Sequence, residues 1–226
     1  MDQSIKFDLD LIHRYNQSGP RYTSYPTALE LHEGFSDADY RSHITQSNTL
    51  GGPLSLYFHI PFCDTVCFYC ACNKIITNNR AHAVPYLENL CKEIAMVGDL
   101  FDHSRVVNQL HWGGGTPTFL NHQQMTQLMA VTRKHFKLRD DDQGEYSVEV
   151  DPRETHSETI RELRELGFNR ISLGLQDFDP AVQKAVNRIQ SKQQTFAVLE
   201  AARNHGFRST NVDLIYGLPL QTVATF

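Results

Sequence analysis

The pattern of hydrophobic and polar positions changes after residue 50. From Leu54 onwards, short apolar runs of strand length alternate with longer amphipathic stretches of helix length. The apolar runs predict five strands, at Leu54–Ile60, Val106–Trp112, Glu145–Val150, Arg170–Leu175 and Thr210–Ile215. The stretches after them predict helices at Ala83–Leu100, Asn121–His135, Ser157–Leu166, Pro180–Val186 and Ser191–His205. Strands that alternate with helices are typical of right-handed parallel βαβ units.

The number of these units limits the architecture. A closed eight-unit barrel takes about 250 residues, and five strand–helix units are visible here. We therefore predict an α/β fold, an incomplete and curved parallel barrel over residues 51–226. Polar and glycine-rich residues gather directly after the strands, where barrels and open parallel sheets place their sites.

Residues 1–50 follow a different pattern. Short helices are predicted at Asp8–Tyr15 and Asp37–Thr45, and Gly19–Ala28 (GPRYTSYPTA) has the composition of turns and extended chain. We interpret the region as an N-terminal arm. It could be an ordinary surface segment, or its tyrosines beside Arg21 could close over an anionic ligand.

Composition narrows the classes of function. The chain has 226 residues, of which 40% are hydrophobic, as in ordinary globular proteins. Its net charge of −5 argues against a large nucleic-acid surface. No apolar run reaches the about 18 residues of a membrane span. The polar N-terminus, MDQSIKFDLD, lacks the apolar region of a secretory signal. These features indicate a soluble cytoplasmic protein.

Four of the five cysteines lie within Tyr57–Asn73, which reads YFHIPFCDTVCFYCACN. Cys63, Cys67 and Cys70 are spaced C-x3-C-x2-C, and Cys72 follows two residues later. All four come after the first predicted strand, which a proline ends. The cysteines therefore lie on a loop, where their sulfurs can surround one centre.

Three kinds of centre are open at this point. Disulfides would have to span very short loops and are disfavoured among reduced cytosolic thiols. Zinc sites usually add a second, distant pair of Cys or His ligands, and no such pair exists here. Clustered thiolates also suit an iron–sulfur cluster, in which three of them would leave one iron open for chemistry. The fifth cysteine, Cys91, lies in a helical pattern and is predicted to be a buried, inert thiol.

Polar residues after the other strands are further candidates. Gly113–Pro117 (GGGTP) could be a tight turn or could let the backbone approach a ligand, and it matches neither a dinucleotide motif nor a P-loop. Glu149 and Asp151 lie on the same face at the end of the third strand. They could be a solvated or ion-paired group, or they could accept hydrogen bonds from ribose hydroxyls. Asp213 lies in an apolar strand, where a carboxylate is costly unless it is satisfied. The other candidates, each with a structural and a functional explanation, are His59, His111, Gln176, Asp177 and Arg188.

The cysteine stretch resembles the signature of the radical S-adenosylmethionine (SAM) enzymes. In these enzymes a C-x3-C-x2-C triplet holds a [4Fe–4S] cluster, and an aromatic residue, here Tyr69, precedes the last cysteine. More narrowly, motifs along nearly the whole chain resemble the oxygen-independent coproporphyrinogen III oxidases (coproporphyrinogen dehydrogenases) of heme biosynthesis. The motifs are GPRYTSYPTA, YFHIPFCDTVCFYCACN, HWGGGTPT, EVDPRE, GLQDF, VNR and DLIYGLP. The chain departs from the family at Ala71, where the family is expected to have glycine.

The resemblance implies a (β/α)6-type radical SAM barrel and its ligands. Cys63, Cys67 and Cys70 would hold the cluster, whose open iron would bind SAM, and no other catalytic residue is assigned. Two SAM molecules are implied. The implied ligands of the first are Tyr57, Gly114 and Glu149, and those of the second are Tyr69, Gly115, Thr116, Gln176, Arg188 and Asp213. The role of Cys72 stays open.

The resemblance also implies a reaction. A 5′-deoxyadenosyl radical made from SAM would take hydrogen from two propionate side chains of coproporphyrinogen III. Anaerobic oxidative decarboxylation to vinyl groups would then give protoporphyrinogen IX. The implied partners are this substrate and an unidentified flavodoxin- or ferredoxin-like electron donor, with no nucleic acid, and the implied state is a monomer.

Two other functions fit parts of the same pattern. A related radical SAM heme chaperone shares the barrel and the cysteine triplet, although Cys72 and GPRYTSYPTA argue against it. The family barrel has a sixth strand and a C-terminal domain, neither of which is visible in this sequence. We therefore also consider an inactive, cluster-binding fragment, and we expect the fifth strand to be an unpaired edge.

Overall fold

The structure is a computed structural model that describes residues 7–16 and 27–226. The chain divides into two compact units, residues 1–43 and 44–226. The predicted turn-and-extended segment at 19–28 lies outside the described residues except for its last two positions.

The described part of the first fifty residues contains two α-helices and a short 3-10 helix, Ala28–Glu30. Helix α1 (Leu9–Tyr15) begins after Asp8, whose carboxylate accepts a hydrogen bond of 3.0 Å from the Leu11 N–H. Helix α2 (Asp37–Leu50) continues past the end predicted at Thr45. Its surface is almost entirely polar, so apolar periodicity gave little indication of its length.

A parallel sheet forms the centre of residues 44–226. The strands are β1 (Leu54–Ile60), β2 (Phe62–Cys63), β3 (Ile75–Ile76), β4 (Val106–Gly114), β5 (Lys137–Leu138), β6 (Glu145–Val150), β7 (Arg170–Gln176) and β8 (Ser209–Leu214). The helices are α3 (Ala83–Gly98), α4 (His122–His135), α5 (Ser157–Glu165), α6 (Pro180–Ala185) and α7 (Lys192–Asn204). The five long strands pair in the order β1–β4–β6–β7–β8.

The sheet confirms the predicted incomplete parallel barrel of five strands, of which the first four are each followed by a helix. Every pairing in the sheet is parallel, and each long strand neighbours the next long strand of the chain. Short β5 pairs with β4, and β2 and β3 form a separate two-stranded sheet. Two-residue strands show no period, so these three were not predicted.

Side chains alternate between the two faces of the sheet. On one face, residues such as Phe58, Trp112, Val148 and Leu173 are buried in a core that also contains the apolar residues of α3, α4, α5 and α7. The opposite face carries polar residues that are more accessible to solvent. The helices therefore cover one face and leave a polar face for ligands. Within the described residues, no helix is both long and apolar enough to cross a bilayer.

Trp112 gives a test of this core. Its ring is fully buried and packs edge-on against Phe168, with 4.8 Å between ring centroids, and its Nε1–H has no partner. We expect Trp112→Ala to lower the free energy of unfolding by about 3–5 kcal/mol. Trp112→Phe keeps an aromatic ring and removes an unsatisfied donor, so its loss should be less than half as large. Urea unfolding measures both, and equal losses would contradict a role based on packing.

Candidate active site

The carboxyl ends of the strands meet at one edge of the sheet. In the strand registers, Ile60 pairs with Gly114, and Gly174 pairs with Asp213. The loops beyond these residues line a cleft with a volume of about 160 Å³, smaller than the about 300–1,000 Å³ of sites for drug-sized ligands. Of the residues implied as cluster or SAM ligands, Tyr57 does not line this cleft. Those that do are Cys63, Cys67, Tyr69, Cys70, Gly114, Gly115, Thr116, Glu149, Gln176, Arg188 and Asp213.

The cysteine loop is closed at its base by backbone hydrogen bonds. The Ile75 N–H donates to the carbonyl of Pro61 at 2.7 Å, and the Thr77 N–H donates to the carbonyl of Cys63 at 2.9 Å. Within the loop, the ammonium group of Lys74 donates to two backbone carbonyls at 2.9 and 3.3 Å. The ends of the loop are therefore fixed next to β1, and the thiols lie between them.

The thiols are of the kind that holds an iron–sulfur cluster. All five cysteines are free, and Cys63, Cys67 and Cys70 line the same cleft. Among the described residues, no three Cys, His, Asp or Glu side chains are placed to hold one metal ion. A cluster needs no such convergence, because each thiolate binds a different iron. Burial raises the pKa of the Cys63 thiol, so cluster binding there would release a proton.

Two cysteines are outside the triplet. Cys72 is exposed, lines the cleft, and has its thiol pKa raised by partial burial. Cys91 on α3 is partly buried against the hydrophobic core, and its pKa is also raised by burial. Because it packs with apolar side chains and does not line the cleft, Cys91 offers a matched control for the cleft cysteines.

The glycine-rich segment packs directly on the cysteine loop. The Gly115 N–H donates to the carbonyl of Ile60 at 2.8 Å, and the Thr116 N–H donates to the carbonyl of Phe62 at 2.7 Å. A Cβ at Gly115 would lie 2.6 Å from the Phe62 carbonyl oxygen, so no larger residue fits here without backbone movement. The hydroxyl of Thr116 lies 3.6 Å from the Cys63 sulfur. Close contact between two loops accounts for this glycine.

Glu149 is held from two sides. Its Oε2 accepts a hydrogen bond of 3.1 Å from the Gly114 N–H, and its Oε1 lies 3.1 Å from Nε2 of His111. His111 in turn contacts the hydroxyl of Ser147 at 2.5 Å. Burial alone would raise the pKa of Glu149, but the hydrogen bonds from His111 and Gly114 outweigh it, and the net shift is downwards. Glu149 therefore presents an ionised carboxylate to the cleft.

Tyr57 lies beside this group, on the polar face of the sheet. Its ring stacks on His111 with 5.7 Å between centroids, and its hydroxyl lies 2.9 Å from Nδ1 of His59. The other ring nitrogen of His59 donates to the carbonyl of Asn73 at 2.7 Å. Since a carbonyl only accepts, Nε2 of His59 carries hydrogen. Tyr57 and His59 thus connect the first strand to the end of the cysteine loop.

Asp151 is the most buried carboxylate that lines the cleft. Its exposed fraction is 7%, and it accepts hydrogen bonds from Arg153 at 2.6 Å and from Arg188 at 3.0 Å. The same two guanidinium groups lie 3.7 and 3.5 Å from the sulfur of Cys67. Burial alone would raise the pKa of Asp151, but the two arginines lower it overall. Arg188 also donates to the carbonyl of Gly174.

Arg153 was missed by sequence reasoning. It follows Asp151 by two residues in EVDPRE, and its side chain folds back to make a local ion pair. A basic residue two positions after a buried carboxylate was the available signal. No signal in the sequence indicated the pairing of this carboxylate with Arg188, which is 37 positions away.

Among the described side chains that line the cleft, two carry buried atoms without a hydrogen-bond partner. Gln176 has a left-handed φ of 69° and a buried side-chain oxygen without a partner. The buried Nε of Arg188 also lacks one. Because buried polar atoms are normally satisfied, such atoms at a cleft suggest that a bound ligand supplies their partners. The residues present therefore fit a polar ligand beside a cluster.

The remaining candidates differ in surroundings. Asp213 accepts hydrogen bonds from Ser172 at 3.0 Å and from Asn211 at 2.7 Å, and neither donor was predicted. Asp177 does not line the cleft and instead accepts from the N–H of Asp179 at 2.6 Å, next to α6. Tyr69 lines the cleft, and burial raises its pKa strongly.

A further arginine holds the spacer between the first two cysteines. Arg80 makes two hydrogen bonds of 2.7 Å to Asp64, and its guanidinium stacks 3.9 Å above the ring of Phe119. Phe119 stacks in turn on Phe62, with 4.9 Å between centroids. This contact joins the cysteine loop to the turn that follows the glycine-rich segment. Nothing in the sequence pattern indicated it.

Comparison with known proteins points to one superfamily. The model of the radical SAM superfamily matches residues 57–226. An oxygen-independent coproporphyrinogen III oxidase of Pseudomonas aeruginosa is 54% identical over 226 residues, which are 100% of this chain and 49% of that protein. The Escherichia coli protein of the same name is 50% identical over 224 residues, which are 99% of this chain and 48% of that protein.

A solved structure agrees with these matches. The Escherichia coli coproporphyrinogen III oxidase, described as a radical SAM enzyme, superimposes with a TM-score of 0.89 at 48% identity. The match covers 99% of this chain and 49% of that chain. The chain thus spans about half the length of the curated relatives it matches, and the match falls on their N-terminal half.

The lowered pKa of Glu149 predicts a pH dependence of stability. The carboxyl has an ordinary value of 4.5 and a lower one in the fold, so its stabilising contribution is present above pH 4.5 and is lost as pH falls through the folded value. We expect the difference in unfolding free energy between the wild type and Glu149→Gln to be constant near neutral pH and to shrink below pH 4.5. Urea unfolding across pH measures it, with Glu200→Gln, exposed on α7, as the control. A difference that grows with acidity would contradict the assignment.

Proposed function

Since the chain belongs to the radical SAM superfamily, we propose that Cys63, Cys67 and Cys70 hold a [4Fe–4S] cluster and that the cleft beside them binds SAM. One observation carries this proposal. Three thiols from one loop, together with polar groups from the ends of four other strands, line a single cleft.

The chain's own residues have separate tasks in this proposal. A reduced cluster and SAM together supply a 5′-deoxyadenosyl radical, which abstracts hydrogen from carbon. The ionised carboxylate of Glu149, fixed by His111 and Gly114, suits ribose hydroxyls. The guanidinium of Arg188 suits the carboxylate of SAM. A carbon radical formed in this cleft would have to be shielded from water.

The proposed ligands fall into two sets, as the family resemblance implies for two SAM molecules. Tyr57, Gly114 and Glu149 belong to the first set. The second set is Tyr69, Gly115, Thr116, Gln176, Arg188 and Asp213. The unpartnered atoms of Gln176 and Arg188 support a ligand on that side of the cleft. Tyr57 lies on the sheet face next to Glu149 and stacks on His111. In this proposal it supports the first set by holding the histidine that contacts Glu149.

For the whole protein we propose the oxidative decarboxylation of two propionate side chains of coproporphyrinogen III, giving protoporphyrinogen IX. Relatives named for this oxidase match 99–100% of the chain, including the first fifty residues outside the cluster motif. We propose that residues 1–50 are an N-terminal arm that covers the substrate. A low-potential donor of the flavodoxin or ferredoxin class would supply the electrons.

Reconstitution tests the cluster. After anaerobic loading with iron and sulfide, we expect about four irons per chain and dithionite-dependent conversion of SAM to 5′-deoxyadenosine. Cys67→Ala should lose at least nine-tenths of this cleavage because one iron loses its thiolate. Cys91→Ala should retain it, since Cys91 packs in the core. Bound zinc without a cluster in the wild type would refute the proposal.

Porphyrinogen turnover tests the substrate. We expect the cluster-loaded protein to convert coproporphyrinogen III into products that have lost first one and then two CO2. Mass spectrometry measures these products. The full-length Pseudomonas aeruginosa relative is the positive control, and cluster-free Cys67→Ala is the blank. Stoichiometric binding of heme without decarboxylation would favour the heme chaperone. SAM cleavage without porphyrinogen turnover, where the relative is active, would contradict decarboxylation by this chain and would favour the inactive, cluster-binding fragment.

A further inference from the structure

Two guanidinium groups converge on one of the three proposed cluster ligands. The Nη2 of Arg153 lies 3.7 Å and the Nη1 of Arg188 lies 3.5 Å from the sulfur of Cys67. Both arginines also bind Asp151. The Cys63 sulfur, by comparison, receives the neutral hydroxyl of Thr116 at 3.6 Å. The charged donors are therefore directed at one ligand of the triplet.

The ion-paired group that contacts Cys67 contains two arginines and one carboxylate. Asp151 supplies one negative charge, and Arg153 and Arg188 supply two positive charges. The side chains concerned are 8–16% exposed, so solvent screens them weakly. The sulfur of Cys67 lies within hydrogen-bond distance of both arginines. Negative charge that a bound cluster gained there would therefore meet this local excess of positive charge.

Arg153 is held in place more locally than Arg188. Its backbone N–H donates to Oδ1 of Asp151 at 3.0 Å, and its side chain donates to both oxygens of the same carboxylate. The turn at residues 151–153 thus aims the planar guanidinium at the sulfur before any ligand binds. Arg188, in contrast, is already one of the residues proposed to bind SAM.

We propose that Arg153 is a positioning residue for Cys67 that raises the reduction potential of the cluster. Hydrogen bonds to the ligating sulfurs and nearby charge set the potentials of iron–sulfur clusters. On reduction the cluster gains one electron from an external low-potential donor, and a positive charge at its ligand stabilises the more negative product. The inference rests on the proposed function, because it takes Cys67 as a ligand.

The test is a redox titration of the reconstituted protein with dithionite, followed by electron paramagnetic resonance in the absence of SAM. We expect Arg153→Met to keep its iron and to lower the equilibrium constant for one-electron reduction about tenfold, a shift of 59 mV to more negative potential. Arg153→Lys, which keeps the charge but not the planar fork, should shift less. Arg161→Met removes the same charge from the partly exposed Arg161 on α5 and should leave the potential unchanged.

The outcomes separate the two proposals. A wild type that forms no cluster overturns both. A wild type with a cluster, and Arg153→Met with the potential of the wild type, overturns the role of Arg153 alone. If Arg153→Met does not assemble a cluster, Arg153→Gln, which is uncharged but can still donate to Asp151, gives the same comparison. If neither variant assembles a cluster, the proposed effect of Arg153 on the reduction potential is wrong, and Arg153 is needed for cluster assembly instead.

Discussion

The site depends on one buried carboxylate. Asp151, at the end of β6, orients the guanidinium groups of Arg153 and Arg188, and both groups reach the sulfur of Cys67. Three separate parts of the chain meet at this point: the cysteine loop, the turn after β6, and the segment between α6 and α7. A buried charge is tolerated only when it is paired. Loss of the carboxylate would therefore leave two buried positive charges side by side and would disturb all three segments.

The cysteine loop has little freedom, because it is attached on several sides. The β2–β3 pairing closes its base, the glycine-rich segment donates two N–H groups to its first residues, and Arg80 holds Asp64 in its first spacer. Side chains that are held in place before a ligand binds lose less conformational entropy on binding. Such a loop can keep its three thiols in place over the open end of the sheet.

Much of the fold and part of the site follow from the sequence, for a physical reason. Strand side chains alternate with a period of two, so the end of each apolar run indicates where the edge of a parallel sheet lies. Glu149 and Gln176 were found because they stand at those ends, and Asp213 was found because a carboxylate inside an apolar strand is costly.

The rest of the site could not be predicted because it consists of pairings between loops. Arg80 with Asp64, and Arg188 with Asp151, join residues that are 16 and 37 positions apart. Such contacts leave no periodic signal, since they depend on where the loops run in space. The same holds for Ser172 and Asn211, which are ordinary strand residues until the register of β7 and β8 brings them to Asp213.

The order of the strands also has a consequence for biosynthesis. Each long strand pairs with the next one made, so the sheet can grow outwards from β1 as the chain leaves the ribosome. The sulfur of Cys67 is made early, but Arg188 comes 121 residues later. At about 5–20 residues per second, this interval lasts roughly 6–24 s. During that time the nascent thiol lacks its buried surroundings and is open to oxidants. The pocket around Cys67 is complete only when the segment between α6 and α7 has been translated.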